Sequence, residues 1–276
     1  MTTTGVDPIC GMPVDPATAS SAQTEAGRYF FCSDYCRREF LRRPRERRDL
    51  QREERLALQD PSSRRVAYLS MEIALLPGVP TYAGGLGVLA GDALRSCADL
   101  RLPVVGLTLL HRQGYFTQQL GPDGEQREAP ATWSPEQHLQ RLGPRAEVEV
   151  EGRRVQVALW QFLLHGATGY PVPVLLLDTD LPENAPEDRA LTGTLYGGDA
   201  RYRLAQEVVL GIGGIRALAA LGYDRIEKLH LNEGHAALAA LELLEAQAWQ
   251  RSSEWDFEPV RRRCVFTTHT PVPAGH

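Results

Sequence analysis

Thr81-Tyr82-Ala83-Gly84-Gly85-Leu86-Gly87-Val88-Leu89-Ala90-Gly91-Asp92 is the stretch that decides the fold. It follows an apolar run, Val66-Ala67-Tyr68-Leu69-Ser70-Met71, and leads into helix-like sequence over residues 92–100. A buried strand, a glycine-dense turn and a helix make a β–α unit with its turn at the carboxyl end of the strand. Gly84, Gly85 and Gly87 lack a Cβ, so the backbone can bend sharply there and let a ligand come close. The amides and positive dipole end of the following helix favour an anion. A tight connection that touches nothing is the competing structural reading. Neither common phosphate fingerprint fits. No GxxxxGK(S/T) run is present, and Gly85-x-Gly87-x-x-x-Gly91 misses the dinucleotide spacing by one residue.

Outward from this unit the alternation continues. Residues 104–110 and 172–177 read as buried strands. Residues 145–161 read as a hairpin turning at Glu151-Gly152. Residues 202–221 read as a long helix ending at Gly222, whose Gly211, Gly213 and Gly214 suit close helix packing rather than a ligand. Residues 226–231 and 264–268 read as strands, and residues 236–250 as an Ala/Leu-rich helix. The expected fold is α/β, a doubly wound domain over residues 64–276. A chain of 276 residues holds one such domain and a small appendage.

The formal net charge of −5 argues against nucleic acid as a partner. No apolar run reaches the 18 residues of a membrane span, and the N-terminus lacks the basic and apolar regions of a signal peptide. Five cysteines, an odd number, point to reduced thiols and a cytoplasmic location. Lysine occurs once, at Lys228.

Residues 6–48 form the appendage. Cys10 lies in Asp7-Pro8-Ile9-Cys10-Gly11-Met12, and Cys32 and Cys36 follow in Tyr29-Phe30-Phe31-Cys32-Ser33-Asp34-Tyr35-Cys36. Thiolates four residues apart at a helix start point the same way, and a third from a preceding loop makes most of a tetrahedral site. A metal would supply stability that so short a segment lacks, although buried structural thiols give the same spacing. With Phe40 and Pro44, the pattern resembles the YHS family and the related TRASH metal-binding modules. That resemblance implies zinc or copper at Cys10, Cys32 and Cys36, and leaves the fourth ligand open. Residues 37–65 carry eleven arginines against six acids, and residues 49–63 read as a solvated basic helix and linker.

In such sheets, ligands gather at the carboxyl ends of the strands. Glu72, Asn232-Glu233-Gly234-His235 and Thr267-Thr268-His269-Thr270 follow three of the strands, and Gly197-Gly198-Asp199 precedes the long helix. Taken singly, Asn232, Glu233 and Asp199 are caps and His269 a satisfied core histidine. Taken together at one crevice, they read as a polyol-binding cleft.

At these residues the chain resembles the α-glucan (glycogen) phosphorylase family, most closely its shorter bacterial type. The motifs are Ala67-Tyr-Leu-Ser-Met-Glu72, residues 80–92, Gln113-Gly-Tyr-Phe116, Leu195-Tyr-Gly-Gly-Asp199, Arg203-Leu-x-Gln-Glu207, His230-Leu-Asn-Glu-Gly-His235 and Phe266-Thr-Thr-His-Thr-Pro271. Ala83 and Glu125 depart from the usual Asn and Trp. The resemblance implies the single Rossmann-like N-terminal domain of a two-domain GT-B architecture. It also implies reversible phosphorolysis of α-1,4-glucan to glucose 1-phosphate with inorganic phosphate and pyridoxal phosphate. By the same analogy, Gly84, Gly85 and Leu86 form the loop at the substrate and cofactor phosphates. His269 hydrogen-bonds the reacting glucose, and Asp199 lies in a gating loop. Glu72, Asn232, Glu233 and His235 line or support the sugar pocket. Self-association into a homo-oligomer stays open. In the family the Schiff-base lysine belongs to the second domain, and Lys228 does not match its motif. The expectation is an N-terminal half that is inactive alone. Two alternatives remain: a metal-sensing YHS protein with a non-catalytic glucan-binding body, and a nucleotide-sugar GT-B glucosyltransferase. The second would carry a lysine in its glycine loop.

Overall fold

Residues 5–42 are too few to bury a large core, and they fold as two short ladders and one helix. β1 (Gly5–Val6) pairs antiparallel with β2 (Pro13–Val14), and β3 (Ser20–Thr24) with β4 (Gly27–Phe31). Helix α1 (Asp34–Arg42) follows. Ala22, Phe31, Cys36 and Phe40 make its small core, with Ile9 and Tyr29 packed against it. The computed structural model describes residues 5–9, 12–24, 27–42, 60–129, 131–251 and 255–269. Cys10, the expected basic helix and linker as far as residue 59, and Thr270 and Pro271 lie outside the described residues.

The larger unit begins at β5 (Val66–Leu69), followed by α2 (Gly85–Asp99) and β6 (Val104–Leu109). A polar hairpin, β7 (Thr117–Leu120) and β8 (Gln126–Ala129), interrupts the alternation. Then come β9 (Gln140–Val150), β10 (Arg153–His165), β11 (Pro171–Asp178) and a short helix, α3 (Pro186–Arg189). α4 (Ala200–Val208), a π-turn at Val209–Gly213 and α5 (Gly214–Ala220) run on as the long helix expected from sequence. β12 (Lys228–Asn232), α6 (Leu238–Arg251), α7 (Phe257–Arg263) and β13 (Cys264–Thr267) complete it.

The seven-stranded sheet has the order β13-β12-β5-β6-β11-β10-β9. Neighbours from β13 to β11 are parallel, whereas β10 pairs antiparallel with both β11 and β9. The sheet is therefore mixed, with the hairpin expected over residues 145–161 supplying its antiparallel edge. A two-residue turn at Glu151-Gly152, both at positive φ, permits only an antiparallel return. Alternate residues of the strands fill two cores. Ala67, Leu69, Leu107 and Leu175 pack with Val209, Leu218, Ala239 and Leu243 on one face. Tyr68, Val174 and Leu176 pack with Ala90 and Leu94 of α2 on the other. Helices thus cover both faces, as in a Rossmann-like domain.

The chain steps from β5 to β6 to β11 in one direction, then returns to place β12 and β13 on the far side of β5. The reversal puts the topological switch point, where such sheets open a crevice, between β5 and β12.

The glycine stretch itself differs from expectation: α2 starts at Gly85, with Gly84 as its N-cap, seven residues before the expected start. Tertiary packing overrides helix propensity here. A Cβ on Gly87 would lie 2.8 Å from Glu72 Oε2, and one on Gly91 would lie 2.2 Å from the Ala74 carbonyl oxygen. A helix-interior Gly→Ala change usually stabilises by about 0.5–1 kcal/mol. Gly91→Ala is expected to reverse that sign and lower the unfolding free energy by at least ~1 kcal/mol. Urea denaturation of the variant checks this, and a stabilised Gly91→Ala protein would contradict the packing.

Candidate active site at the strand ends

Ser70, one residue beyond β5, starts a chain of hydrogen bonds that joins three strand ends. Asn232 Nδ2 donates to Ser70 Oγ at 3.1 Å, and that hydroxyl donates to the Glu72 carbonyl at 2.8 Å. Asn232 Oδ1 pairs with His269 Nε2 at 3.1 Å, so the imidazole carries its proton on Nε2. Asn232 is fully buried at the end of β12, and His269 is exposed just past β13.

Glu233 has φ 65° and ψ 174°, backbone that non-glycine residues rarely adopt, and it is 1% exposed. Its amide donates to the Thr267 carbonyl at 2.8 Å. Its carboxylate accepts from the Thr268 hydroxyl at 3.1 Å and from the His269 amide. Four bonds therefore hold residues 267–269 against the β12 end, one of them made by the His269 imidazole itself.

Glu72 is 3% exposed and fastens two loops. Oε2 accepts from the amides of Ala83 at 2.7 Å and Gly84 at 3.2 Å, and Oε1 accepts from the Tyr196 hydroxyl at 2.7 Å. Tyr196 stands at φ 56°, beneath the Arg203 guanidinium 5.5 Å from its ring centre. Arg203 Nη2 donates to His235 Nε2 at 2.6 Å. A guanidinium only donates, so the His235 proton sits on Nδ1, which is buried without a partner among the described residues. Burial, then the Arg203 charge, push the His235 pKa down to about 4. Burial, and secondarily His269, also hold His230 below its usual value.

Gly84 and Gly85 are exposed, and a Cβ at either would meet nothing within 4 Å. Gly84 is extended (φ −154°), so neither packing nor backbone within the described residues demands glycine there. Leu86, half-buried, continues the first turn of α2, whose leading amides have no intrahelical acceptor. Asp199 is exposed and caps α4, accepting from the Tyr202 amide at 2.9 Å. It joins the rest through the loop it shares with Tyr196. Behind that loop lies a cavity of about 270 Å³ lined by Gln113, Gly193, Thr194, Gly198 and Tyr202. Sequence reasoning gave no role to Ser70, Tyr196, Arg203 or Thr268. All four lie inside the motifs of the family resemblance, but the positive φ of Tyr196 leaves no sequence signal.

A second cluster lies in the N-terminal unit. The ligand atoms of Asp7, Cys32 and Cys36 all fall within 4.8 Å of one another, and the two sulfurs are 3.7 Å apart. Cys36 is buried and Cys32 exposed. Asp7, 1% exposed, was not among the ligands expected from sequence.

No family model matches the chain. A glycogen phosphorylase of Mycobacterium tuberculosis is 41% identical over 221 residues, covering 76% of this chain and 25% of that protein. The maltodextrin phosphorylase of Thermococcus litoralis is 39% identical over 222 residues, covering 76% and 26%. The chain is similar to glycogen and maltodextrin phosphorylases. A third such phosphorylase, from Aquifex aeolicus, is 33% identical over 223 residues, covering 78% of this chain and 31% of its own length. The chain thus spans about a quarter to a third of the phosphorylases it matches.

The phosphorylase resemblance implies pyridoxal phosphate, a group held through a lysine amine. Lys228 opens β12, is exposed, and donates through Nζ to the Arg262 carbonyl. Asn232 lies at the other end of that strand, about 13 Å away at the rise of an extended chain. The only lysine of these 276 residues therefore does not fit the cofactor. Among the described residues, no helix is long and apolar enough to cross a membrane.

Proposed function

We propose that residues 64–276 form one wall of an α-glucan phosphorolysis cleft, the N-terminal Rossmann-like domain of a two-domain GT-B enzyme. The supporting observation is the hydrogen-bonded network of Ser70, Glu72, Asn232, Glu233 and His269 at the switch point. A glucose ring offers many hydroxyls, and this rim presents donors and acceptors held at fixed positions. His269 binds the reacting glucose, with Glu233 and Asn232 holding its backbone and ring, and His235 supporting through Tyr196 and Arg203. Gly84 and Gly85 admit a phosphate, either inorganic phosphate or that of glucose 1-phosphate, to the amides opening α2. The Asp199 loop gates the cleft, with free volume behind it. Pyridoxal phosphate would supply acid–base chemistry at phosphate, but Lys228, at the far end of β12, does not fit as the residue that would hold it. A nucleotide-sugar transferase is disfavoured, because no lysine stands in the glycine turn to meet a donor diphosphate.

Two expected results test this reading. In gels containing glycogen, the 276-residue polypeptide is retarded, and His269→Ala with Glu72→Ala reduces the retardation. Unchanged mobility of the parent chain would remove the sugar cleft. Supplied with glycogen, phosphate and pyridoxal phosphate, the same polypeptide releases no glucose 1-phosphate. Release would show that Lys228, despite its place at the far strand end, or no lysine at all, suffices.

The N-terminal unit is proposed as a YHS/TRASH-like metal module, with Cys10, Cys32 and Cys36 holding zinc or copper. The facing thiols of Cys32 and Cys36 support it.

A further inference from the structure

We infer that the Asp7 carboxylate is the fourth ligand of the N-terminal metal, and that this metal is zinc. The inference rests on the metal module proposed above and adds a donor that the cysteine pattern leaves open. Around a tetrahedral ion with zinc–sulfur bonds of ~2.3 Å, two thiolate sulfurs stand about 3.8 Å apart. Cys32 Sγ and Cys36 Sγ stand 3.7 Å apart, so this edge of the tetrahedron is already formed. A collinear two-sulfur site would set them about 4.6 Å apart, twice the bond length.

Asp7 brings an anionic oxygen within 4.8 Å of both sulfurs, from a residue 1% exposed. Its oxygens are held from behind. Oδ1 accepts from the Ile9 amide at 2.8 Å, and Oδ2 accepts from the Cys32 amide at 2.8 Å. Its remaining lone pairs face the Cys32 and Cys36 thiols, which hydrogen-bond to the carboxylate; a metal takes the place of those thiol protons. Backbone donors behind a ligating carboxylate are the usual means of aiming it. The Cys32 amide also ties the carboxylate to the thiol-bearing turn, so that ligands from two segments share one small space. A cluster of three thiolates and one carboxylate suits a divalent, borderline-soft ion, whereas Cu(I) prefers sulfur alone. The competing structural role for Asp7 is that of a clamp for two amides and an acceptor for the two thiols.

The test loads the full chain with one equivalent of Zn²⁺ and measures X-ray absorption at the zinc edge, with affinity read by chelator competition. The wild-type chain is expected to show three sulfurs and one oxygen. Asp7→Cys is expected to convert the shell to four sulfurs. Asp7→Asn is expected to weaken zinc binding at least about tenfold, since even residues behind a ligand cost ~10–100-fold. Three sulfurs in Asp7→Cys, or an undiminished affinity in Asp7→Asn, would reduce Asp7 to a clamp and leave the cysteine site standing. A wild-type chain that takes up no zinc overturns both the inference and the zinc reading beneath it. The four-sulfur readout reports on bound metal directly, so it stands even where Asp7→Asn loosens the turn.

Discussion

Glu72→Ala is expected to release the glycine turn from Tyr196 and to lower the unfolding free energy by about 2–4 kcal/mol. Three donors converge on this carboxylate: the amides of Ala83 and Gly84, and the Tyr196 hydroxyl. Truncation leaves all three without their acceptor and opens a void in a buried site, and hydrogen bonds to a charged group contribute ~1.5–3 kcal/mol each before non-additivity. Glu72→Gln keeps an oxygen for the two amides and places an NH₂ at Tyr196, whose hydroxyl can turn to accept. It should therefore cost less than half as much. Urea denaturation gives both values, and glycogen-gel mobility reports whether the turn still serves the cleft. Equal losses for Ala and Gln, or none for either, would mean that Glu72 does not fasten the two loops. A cycle with Tyr196→Phe separates the halves: its coupling to Glu72→Ala should be about 1–2 kcal/mol, since both remove the same bond.

This clamp also explains how the glycines divide. Gly87 and Gly91 are required by Glu72 and the Ala74 carbonyl, and a reader of the sequence could not separate them from Gly84 and Gly85. The strands were legible because Val66–Leu69 and Pro171–Asp178 are apolar runs buried on both faces. The hairpin at Glu151-Gly152 was legible because alternation flanks a turn pair that accepts positive φ. Asp199 was readable as a cap, and Gly211 as a close-packing site, where a Cβ would stand 2.7 Å from the Ala239 amide. The hairpin β7–β8 was not legible. Thr117–Leu120 and Gln126–Ala129 are almost wholly exposed, so no alternation marks them. Nor was α7, seven residues carrying a proline and three arginines. At the site, residue types revealed a polyol-like rim, but the bonds that join its strand ends link residues 34 or more positions apart, such as Glu233 with Thr267 and Ser70 with Asn232. Asp7 shows the same gap. It sat in view three residues before Cys10, and only the folded turn brings it against Cys32.

Stability is expected to fall steeply as pH drops from about 6.5 towards 4, on account of two buried histidines. His111 is fully buried; Nε2 meets the Met71 carbonyl at 2.8 Å, and Nδ1 has no partner among the described residues. Nε2–H donates to the carbonyl, so a second proton on Nδ1 would place a charge where nothing among the described residues accepts it. Burial, only partly opposed by the Met71 bond, pushes its pKa down to about 4. His235 reaches about 4 through burial and Arg203. A folded-state pKa below the unfolded value near 6.5 means that the unfolded chain binds more protons in this window. The stabilisation is therefore complete above pH 6.5 and is lost as pH falls through the interval to 4, by roughly 3 kcal/mol for each histidine at ~1.4 kcal/mol per pH unit. Glu207 works in the opposite direction, because burial raises its pKa and acid favours its folded form. It offsets the loss only near and above its ordinary range, at the lower end of the window. Urea midpoints from pH 7.5 to 4.5 measure the slope. His111→Gln retains a donor for the Met71 carbonyl and adds no titratable group, so it should flatten the profile by about half while costing some stability at pH 7.5. A parent chain equally stable at pH 7 and pH 5, or a His111→Gln profile as steep as the parent's, would place the acid sensitivity elsewhere.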